Sequence, residues 1–456
     1  MSVSKSMIKG KPAGLMIRFA VPLMIGSFFQ LFYNIADSII VGRLLGVEAF
    51  AAVSAAGTFY WLILSMISGL TQGFGTVIAQ CFGSRDKEKT KKAFAMSIAL
   101  AVIIGIVFSA LSTLFTNPVL VLLKTPQDII DGTTIYLSYM FSGLLLPIFS
   151  YIFSSAFFAV GNSKIPLQAL IVACILNIAL DIILVGFTPL GVAGAAIATL
   201  IAQLFSCVYC ISKLRKLSDL KLSKCHFLID FIIIKELLRI GTPRAISEFI
   251  LSLGGIVIQY YINLYGVIYI AGISAAKKIY SIMAIVAGGM EGAVATYVAQ
   301  NYGAKRLDRI KSGVRTAFLI MMTGVTLIII VLLLSSRWIA GLFISGSPEE
   351  VNAVLDVAVK QVRIMLIFLP TVYLLFLFRS ALQGVGNVIF TFISGFLEMA
   401  ARILSVLILP AFIGEWGIFI AEIAGWPLCA LMLFIAYISV FRQKSKLPEF
   451  KVTEKV

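Results

Sequence analysis

The chain alternates between long apolar stretches and short segments rich in charge, glycine or proline. Each apolar stretch is long enough for a helix that crosses a lipid bilayer, which takes about 20 residues. Twelve such stretches begin near Leu15, Ala49, Ala93, Thr133, Ile165, Leu190, Ile240, Ile270, Thr316, Val359, Asn387 and Gly417. They are continuous and show no alternation of polar and apolar residues, so membrane-spanning β-strands are excluded. The pattern predicts an all-α polytopic membrane protein.

Composition supports a membrane protein and excludes a soluble one. Of the 456 residues, 60% are hydrophobic and only 13% are charged. A globular core cannot bury so large an apolar fraction, whereas a dozen membrane spans accommodate it.

The net charge of +16 reflects topology and predicts no nucleic-acid partner. In the twelve-span arrangement, 28 of the 37 Lys and Arg residues fall on one side of the membrane and five fall on the other. The positive-inside rule places the richer side, with both termini, in the cytoplasm. We expect a multi-pass protein of the cell inner (plasma) membrane.

The sequence also contains an internal repeat. Gly46–Tyr60 resembles Gly266–Tyr280 at a spacing of 220 residues, and Gly69–Gly83 resembles Gly289–Gly303 at the same spacing. Each half holds an even number of spans, so the halves share one orientation and are related by an axis along the membrane normal. We predict two pseudo-symmetric six-helix lobes, residues 1–220 and 221–456, an arrangement typical of transporters.

The junction between the lobes, about 212–239, is charged and then amphipathic. Phe227, Leu228, Phe231 and Leu238 lie on one helical face. A helix on the inner membrane surface and a solvated linker helix both fit this pattern.

Ionisable groups inside membrane spans are costly, so those in the first lobe are candidates for function. Asp37 in span 1 and Asp181 in span 5 lie at similar depths below the outer ends of their helices. Asn177 is one helical turn before Asp181, and Thr199 in span 6 reaches the depth of Asn177. The similar depths of these four residues predict one polar layer, and Tyr136 and Tyr139 in span 4 are expected to complete it.

Two carboxylates, an amide oxygen and a hydroxyl suit Na⁺ as a hard monovalent cation, and two acids that share a pocket also suit a bound proton. The sequence favours neither ion. A structural role, in which these side chains only tie helices together, is the alternative. Pro22 in span 1 is expected to kink that helix or to let it bend, and thereby to gate access to Asp37.

Six ionisable residues form a second candidate polar site in the second lobe: Lys277, Lys278, Glu398, Arg402, Glu248 and Glu291. Glu398 and Arg402 are one turn apart, which predicts a structural ion pair. Glu248 and Glu291 fit either a helix tie or a proton site. The three basic residues are expected to leave this lobe net positive.

No catalytic machinery is recognisable. The sequence contains no G-x-x-x-x-G-K-[ST], G-x-S-x-G or H-E-x-x-H motif. The spacing of Asn177 and Asp181 faintly resembles a magnesium-pyrophosphate motif of membrane prenyl transferases, but the neighbouring acids are missing. We expect a protein that is not an enzyme and that has no cofactor other than a coupling ion.

Several short motifs resemble the multidrug and toxic compound extrusion (MATE) family over nearly the whole chain. They are Ala36–Arg43, Gln80–Ser84, Gly161–Pro166, Leu176–Asp181, Gly191–Thr199 and Gln300–Ala304. The resemblance implies a secondary antiporter that exports bulky organic, often cationic, compounds in exchange for Na⁺ or H⁺ by alternating access.

The resemblance also implies a first-lobe cation site at Asp37, Asn177, Asp181 and Thr199, with Tyr139 as the span-4 tyrosine. It implies a small-molecule substrate and lipid as the surroundings, and we expect a monomer. Because Lys277, Lys278 and Arg402 are basic, the alternative is a related flippase of anionic lipid-linked oligosaccharides.

Overall fold

A computed structural model describes residues 5–122, 125–344 and 346–448. Within these ranges the regular structure is helical, apart from turns and bends, and no β-strand occurs. The helices are α1 Pro12–Leu45, α2 Val47–Gly83, α3 Lys87–Leu122, α4 Gln127–Ser142, α5 Leu145–Ala159, α6 Lys164–Gly186, α7 Val192–Leu214, α8 Phe231–Asn263, α9 Val267–Gly303, α10 Leu307–Gly341, α11 Pro348–Gly384, α12 Ile389–Ile413, α13 Trp416–Ala421 and α14 Gly425–Lys444. A short 3-10 helix, Lys224–Phe227, precedes α8.

The helices confirm the predicted all-α polytopic fold. In the described ranges, eleven helical segments are long and apolar enough to span a membrane. A twelfth span forms if α4 and α5, which are bent by 49° relative to each other, are counted as one crossing. The bend falls where Gly143 and Pro147 interrupt the apolar sequence, since neither residue supports a straight helix interior.

Most helices are longer than the bilayer requires. The longest have 37 residues, which at 1.5 Å per residue is roughly 55 Å, whereas the hydrocarbon core is about 30 Å thick. Their ends therefore extend into the polar regions on either side, where charged residues are tolerated.

The chain divides into two compact units. The first consists of residues 1–6 and 21–245, and the second of residues 7–20 and 246–456. Two helices, α1 and α8, each contribute to both units, because the boundaries at 20/21 and 245/246 fall inside them. The lobe limits proposed from the sequence, 1–220 and 221–456, stay a prediction.

Backbone geometry repeats between the two halves. Gly46 and Gly266 have φ values of 89° and 86°, and Arg85 and Lys305 have φ values of 63° and 58°. Both pairs are 220 residues apart, the spacing of the sequence repeat. Positive φ is uncommon for residues other than glycine, so its recurrence at equivalent positions shows that the halves share one helix-to-helix path.

The amphipathic stretch of the junction is not one helix, because Phe227 ends the short 3-10 helix, Leu228 is extended, and only Phe231 and Leu238 lie in the first part of α8. Asp230 caps this helix, with Oδ1 accepting hydrogen bonds from Ile232 N and Ile233 N, both at 3.2 Å. These bonds stabilise the ionised carboxylate and lower the pKa of Asp230. The side chains of Leu228 and Phe231 are exposed. Their exposure fits both a position at the membrane surface and a position in solvent.

Glycines let two long helices of the second unit approach closely. A Cβ atom on Gly272 of α9 would lie 2.6 Å from Val357 Cγ1 and 2.9 Å from the carbonyl oxygen of Val354, both on α11. At the other end of the pair, a Cβ atom on Gly384 of α11 would lie 2.7 Å from Val298 Cβ on α9. Small residues at such contacts allow close packing of membrane helices.

Replacing Gly272 with alanine should therefore destabilise the protein by about 1–3 kcal/mol, the usual cost of overpacking. The measurement is the thermal unfolding midpoint of the purified protein in detergent. Gly288→Ala is the matched control, since Gly288 lies on the same helix and an added Cβ meets no atom within 4 Å. Equal midpoints for the two variants would contradict this account of the α9–α11 contact.

Candidate functional site

The first unit encloses a cavity of about 690 Å³. Residues of α1, α2, α4, α5, α6 and α7 line it, and the lining combines aromatic side chains, such as Trp61 and Phe158, with hydroxyl and amide groups. Among the lining residues that the structure describes, Asp37 is the only one with a carboxyl or basic side chain. A cavity of this size is typical of binding sites for drug-sized molecules, which are about 300–1,000 Å³.

Polar side chains on one face of α1 point towards this cavity. Gln30, Tyr33, Asn34 and Asp37 all line it, and they recur at intervals of three and four residues, which places them on one side of a helix. Pro22, on the same helix, also lines the cavity, and α1 continues past Pro22 as one helix. The gating role of Pro22 stays a prediction.

Thr199 connects α1 with α6. Its Oγ1 lies 3.2 Å from the hydroxyl of Tyr33 and accepts a hydrogen bond of 3.4 Å from Asn177 Nδ2. Thr199 faces the cavity, whereas Asn177 and Asp181 lie behind the cavity wall with no exposed surface. Asn177 and Asp181 are one helical turn apart, so their side chains share a face of α6.

The structure brings the two predicted acids together. The carboxyl groups of Asp37 and Asp181 lie within hydrogen-bonding reach of each other. Asp37 Oδ1, Asn177 Oδ1 and both carboxyl oxygens of Asp181 are buried and have no hydrogen-bond donor among the described residues. Buried oxygens without donors are costly. A proton or a hard monovalent cation would satisfy them, so this set of oxygen atoms fits either ion.

Tyr139 is not brought to this layer. It is 41% exposed and does not line the cavity, whereas Tyr136 is buried and lines it. Residues three apart are separated by about 60° around a helix with 3.6 residues per turn, and of these two tyrosines only Tyr136 reaches the cavity. The span-4 tyrosine of this site is therefore Tyr136.

Two further polar residues of the cavity, Tyr60 and Gln203, were not selected from the sequence. Gln203 is one turn after Thr199 on α7, and the same spacing argument that joined Asn177 to Asp181 would have found it. Tyr60 stands at the end of the first repeated segment. Its hydroxyl group is buried and has no hydrogen-bond partner among the described residues.

In the second unit, Glu398 and Arg402 form the predicted ion pair, with Arg402 Nη2 2.9 Å from Glu398 Oε1. Arg379, which the sequence analysis did not assign, lies 3.2 Å from the other carboxyl oxygen of Glu398. Lys277 Nζ lies 3.6 Å from Glu422 Oε2, a second unassigned partner.

The remaining candidates of the second unit lie elsewhere. The ammonium group of Lys278 is 5.8 Å from the ring centre of Phe343, a cation–π distance. Glu291 is fourteen residues from Lys277 on α9, which is roughly 21 Å along the helix axis. Glu248 is eleven residues from Gln259, a hydrogen-bond partner of Lys277, or roughly 16 Å along α8. The structure does not gather all six residues into one site.

Comparison with known proteins identifies the family. The sequence profile of the MatE family matches residues 22–183 and 243–408. The chain belongs to the MatE family. The two matched segments begin at Pro22 and Pro243, the equivalent prolines of α1 and α8, and together they cover most of the chain.

Relatives of known name come from bacteria. "Probable multidrug resistance protein YoeA" of Bacillus subtilis (strain 168) is 29% identical over 348 residues, which cover 74% of this chain and 75% of the relative. "Multidrug export protein MepA" of Staphylococcus aureus (strain NCTC 8325 / PS 47) is 24% identical over 429 residues, which cover 93% of both chains.

Solved structures share the fold. A MOP superfamily transporter from Pyrococcus furiosus matches with a TM-score of 0.90 at 21% identity, over 97% of this chain and 98% of that one. An outward-facing multidrug resistance MATE family transporter matches with a TM-score of 0.89 at 21% identity and the same coverage. As a MATE family member, the protein is a transporter and not an enzyme, and a multi-pass protein of the plasma membrane.

Proposed function

We propose that this transporter exports bulky organic compounds, cations in particular, in exchange for Na⁺ or H⁺ by alternating access. The observation that carries the proposal is the position of Asp37, whose carboxyl group belongs both to the cavity wall and to the buried polar layer behind it. The names of the bacterial relatives support multidrug export as the activity.

The cavity suits a bulky cation. Its volume of about 690 Å³ accommodates a drug-sized molecule. Trp61, Tyr60 and Tyr136 offer aromatic rings to a positive charge, and Asp37 offers the single carboxylate among the lining residues described. Hydroxyl and amide groups around the wall provide hydrogen bonds without imposing one ligand shape.

Exchange follows from competition for Asp37. When the coupling ion binds between Asp37 and Asp181, the negative charge that attracts a cationic substrate is neutralised. When the ion leaves, two adjacent carboxylates repel each other in a medium of low dielectric constant, and a cation in the cavity relieves that repulsion. The coupling ion and the cationic substrate thus compete for the negative charge of Asp37, and antiport requires such competition.

The membrane potential constrains the stoichiometry. The potential contributes about 2.3 kcal/mol per elementary charge per 100 mV. If one monovalent ion enters for each monovalent cation that leaves, this contribution cancels and only the ion gradient remains, at about 1.4 kcal/mol per tenfold concentration difference. A neutral substrate, or more than one ion per cycle, gains the voltage term as well.

We do not favour the flippase alternative, because two of the three basic residues that suggested it are paired with acids. Arg402 contacts Glu398 and Lys277 contacts Glu422. Their positive charges are largely neutralised within the second unit and offer little attraction to an anionic cargo.

We also propose that the transporter works as a monomer in contact with lipid, with a small-molecule substrate, no nucleic-acid partner and no resident cofactor. The exposed apolar side chains on the spanning helices, such as Leu114 and Leu334, support lipid contact.

Asp37→Asn should abolish ion-driven export while leaving the fold intact, because the amide keeps the shape of the side chain and removes its charge. The assay is efflux of a fluorescent organic cation from proteoliposomes under separately imposed Na⁺ and pH gradients. Loss should be at least tenfold. Asp356→Asn is the control, since Asp356 is an exposed acid paired with Arg337. Export by Asp37→Asn at the wild-type rate would contradict the proposal.

Asp181→Asn should remove the response of the purified protein to its coupling ion. A ligand at 100 times its Kd stabilises a protein by about 2.7 kcal/mol, so the wild-type midpoint should rise either with NaCl relative to choline chloride or with decreasing pH. The first result indicates sodium coupling and the second proton coupling. The same response in Asp181→Asn and wild type would mean that the ion binds elsewhere.

A further inference from the structure

The second unit repeats the backbone that carries the polar layer of the first. Gly161 and Gly386 have φ values of 77° and 76° and precede equivalent helices, α6 and α12. Asn177 follows Gly161 by sixteen residues, and Arg402 follows Gly386 by the same number. In the repeat, Arg402 therefore stands at the position of Asn177.

A second pair of glycines gives the register of the following helix. Gly191 has φ 54° and ψ −132°, and Gly414 has φ 58° and ψ −136°. Thr199 is eight residues after Gly191, and Glu422 is eight residues after Gly414. In the first unit Thr199 contacts Asn177, and correspondingly Glu422 interacts electrostatically with Arg402.

The two acids of the first lobe have no acidic equivalents in the second. Taking Pro22 and Pro243 as equivalent, Asp37 corresponds to Ile258, and counting from the glycines, Asp181 corresponds to Val406. Ile258 and Val406 are both buried apolar residues. The acids of the second lobe, Glu398 and Glu422, occupy other positions around Arg402.

Those acids already have cationic partners. Arg402 and Arg379 contact the two carboxyl oxygens of Glu398 at 2.9 Å and 3.2 Å, and the side chains of Arg379, Arg402 and Glu398 are 4%, 13% and 7% exposed. In the first lobe, by contrast, the carboxyl oxygens of Asp181 have no donor among the described residues. The corresponding helices therefore hold acids without a cation in the first lobe and an acid already paired with arginine in the second.

We propose that the second lobe contains a copy of the cation site that is permanently occupied by the guanidinium group of Arg402. The arginine acts as a tethered cation, and this lobe binds no free coupling ion. Removing the guanidinium group then leaves Glu398 beside a space of about the same size, which a free guanidinium ion fits. If the second lobe binds no free ion, the first lobe alone couples ion movement to export, and this consequence rests on the function proposed above. The presence of a tethered cation in the second lobe does not depend on that function.

The test is chemical rescue of Arg402→Ala, measured as the thermal unfolding midpoint of the full-length protein in detergent. The substitution should lower the midpoint because it leaves a buried carboxylate with one cation fewer. Guanidinium chloride at about 10–50 mM should recover at least half of that loss, relative to NaCl at equal concentration. This concentration is low enough that guanidinium acts as a small bound cation and not as a denaturant. The wild-type midpoint should not rise.

Two further variants separate a tethered cation from a merely structural arginine. Arg402→Lys keeps a cation in place and should not respond to guanidinium. Arg402→Ala combined with Glu398→Gln removes the carboxylate as well, so it should also not respond. If Arg402→Ala alone does not fold, the corresponding expectation is a higher yield of folded protein with guanidinium than without it.

An equal response to guanidinium in wild type, Arg402→Ala and the double variant, or no response in any of them, would overturn the proposal. None of these measurements involves transport. Failure of Asp37→Asn to affect efflux would therefore reject the proposed exchange mechanism and leave the tethered cation standing.

Discussion

The cost of a carboxylate in a medium of low dielectric constant governs the polar chemistry of this protein. A buried acid must be protonated, paired with a cation or supplied with hydrogen-bond donors. In the first lobe, Asp37 and Asp181 lie side by side, and the buried oxygens of Asp181 and Asn177 have no donors among the described residues. A proton or a cation that binds between the two acids satisfies these oxygens. The exchange mechanism proposed above requires that the occupancy of this position varies with the ligands available.

The second lobe satisfies the same constraint with its own side chains. Glu398 lies between Arg379 and Arg402, and these charges are covalently attached, so they cannot be exchanged with solvent. The internal repeat gives two copies of one backbone, and the repeated glycine conformations show how closely that backbone is kept. In the proposals above, the side chains at equivalent positions decide which copy takes up ions and which is a fixed structural element.

Much of the fold follows from the sequence because hydropathy and the repeat are properties of the chain alone. All twelve predicted spans correspond to helices or to the bent α4–α5 pair, and the layer of Asp37, Asn177, Asp181 and Thr199 follows from helix direction and rise. Rotation about a helix axis is harder to predict. Tyr136 and Tyr139 differ by three residues, and only tertiary packing decides which of them faces the cavity. Arg379 and Glu422 were missed for a related reason, since their partners come from other helices and no spacing in the sequence joins them.

The division between the cavity wall and the layer behind it bears on selectivity. Asp37 and Thr199 reach the cavity, whereas Asn177 and Asp181 are fully enclosed. A large organic cation can therefore approach Asp37 but cannot reach Asp181, while a small ion or a proton can reach both. Size alone separates the two ligands, and the aromatic lining has no need to recognise one substrate in detail. A wide cavity with a single negative charge in its wall and a narrow site behind it therefore suits the proposed exchange of varied organic cations for a small ion.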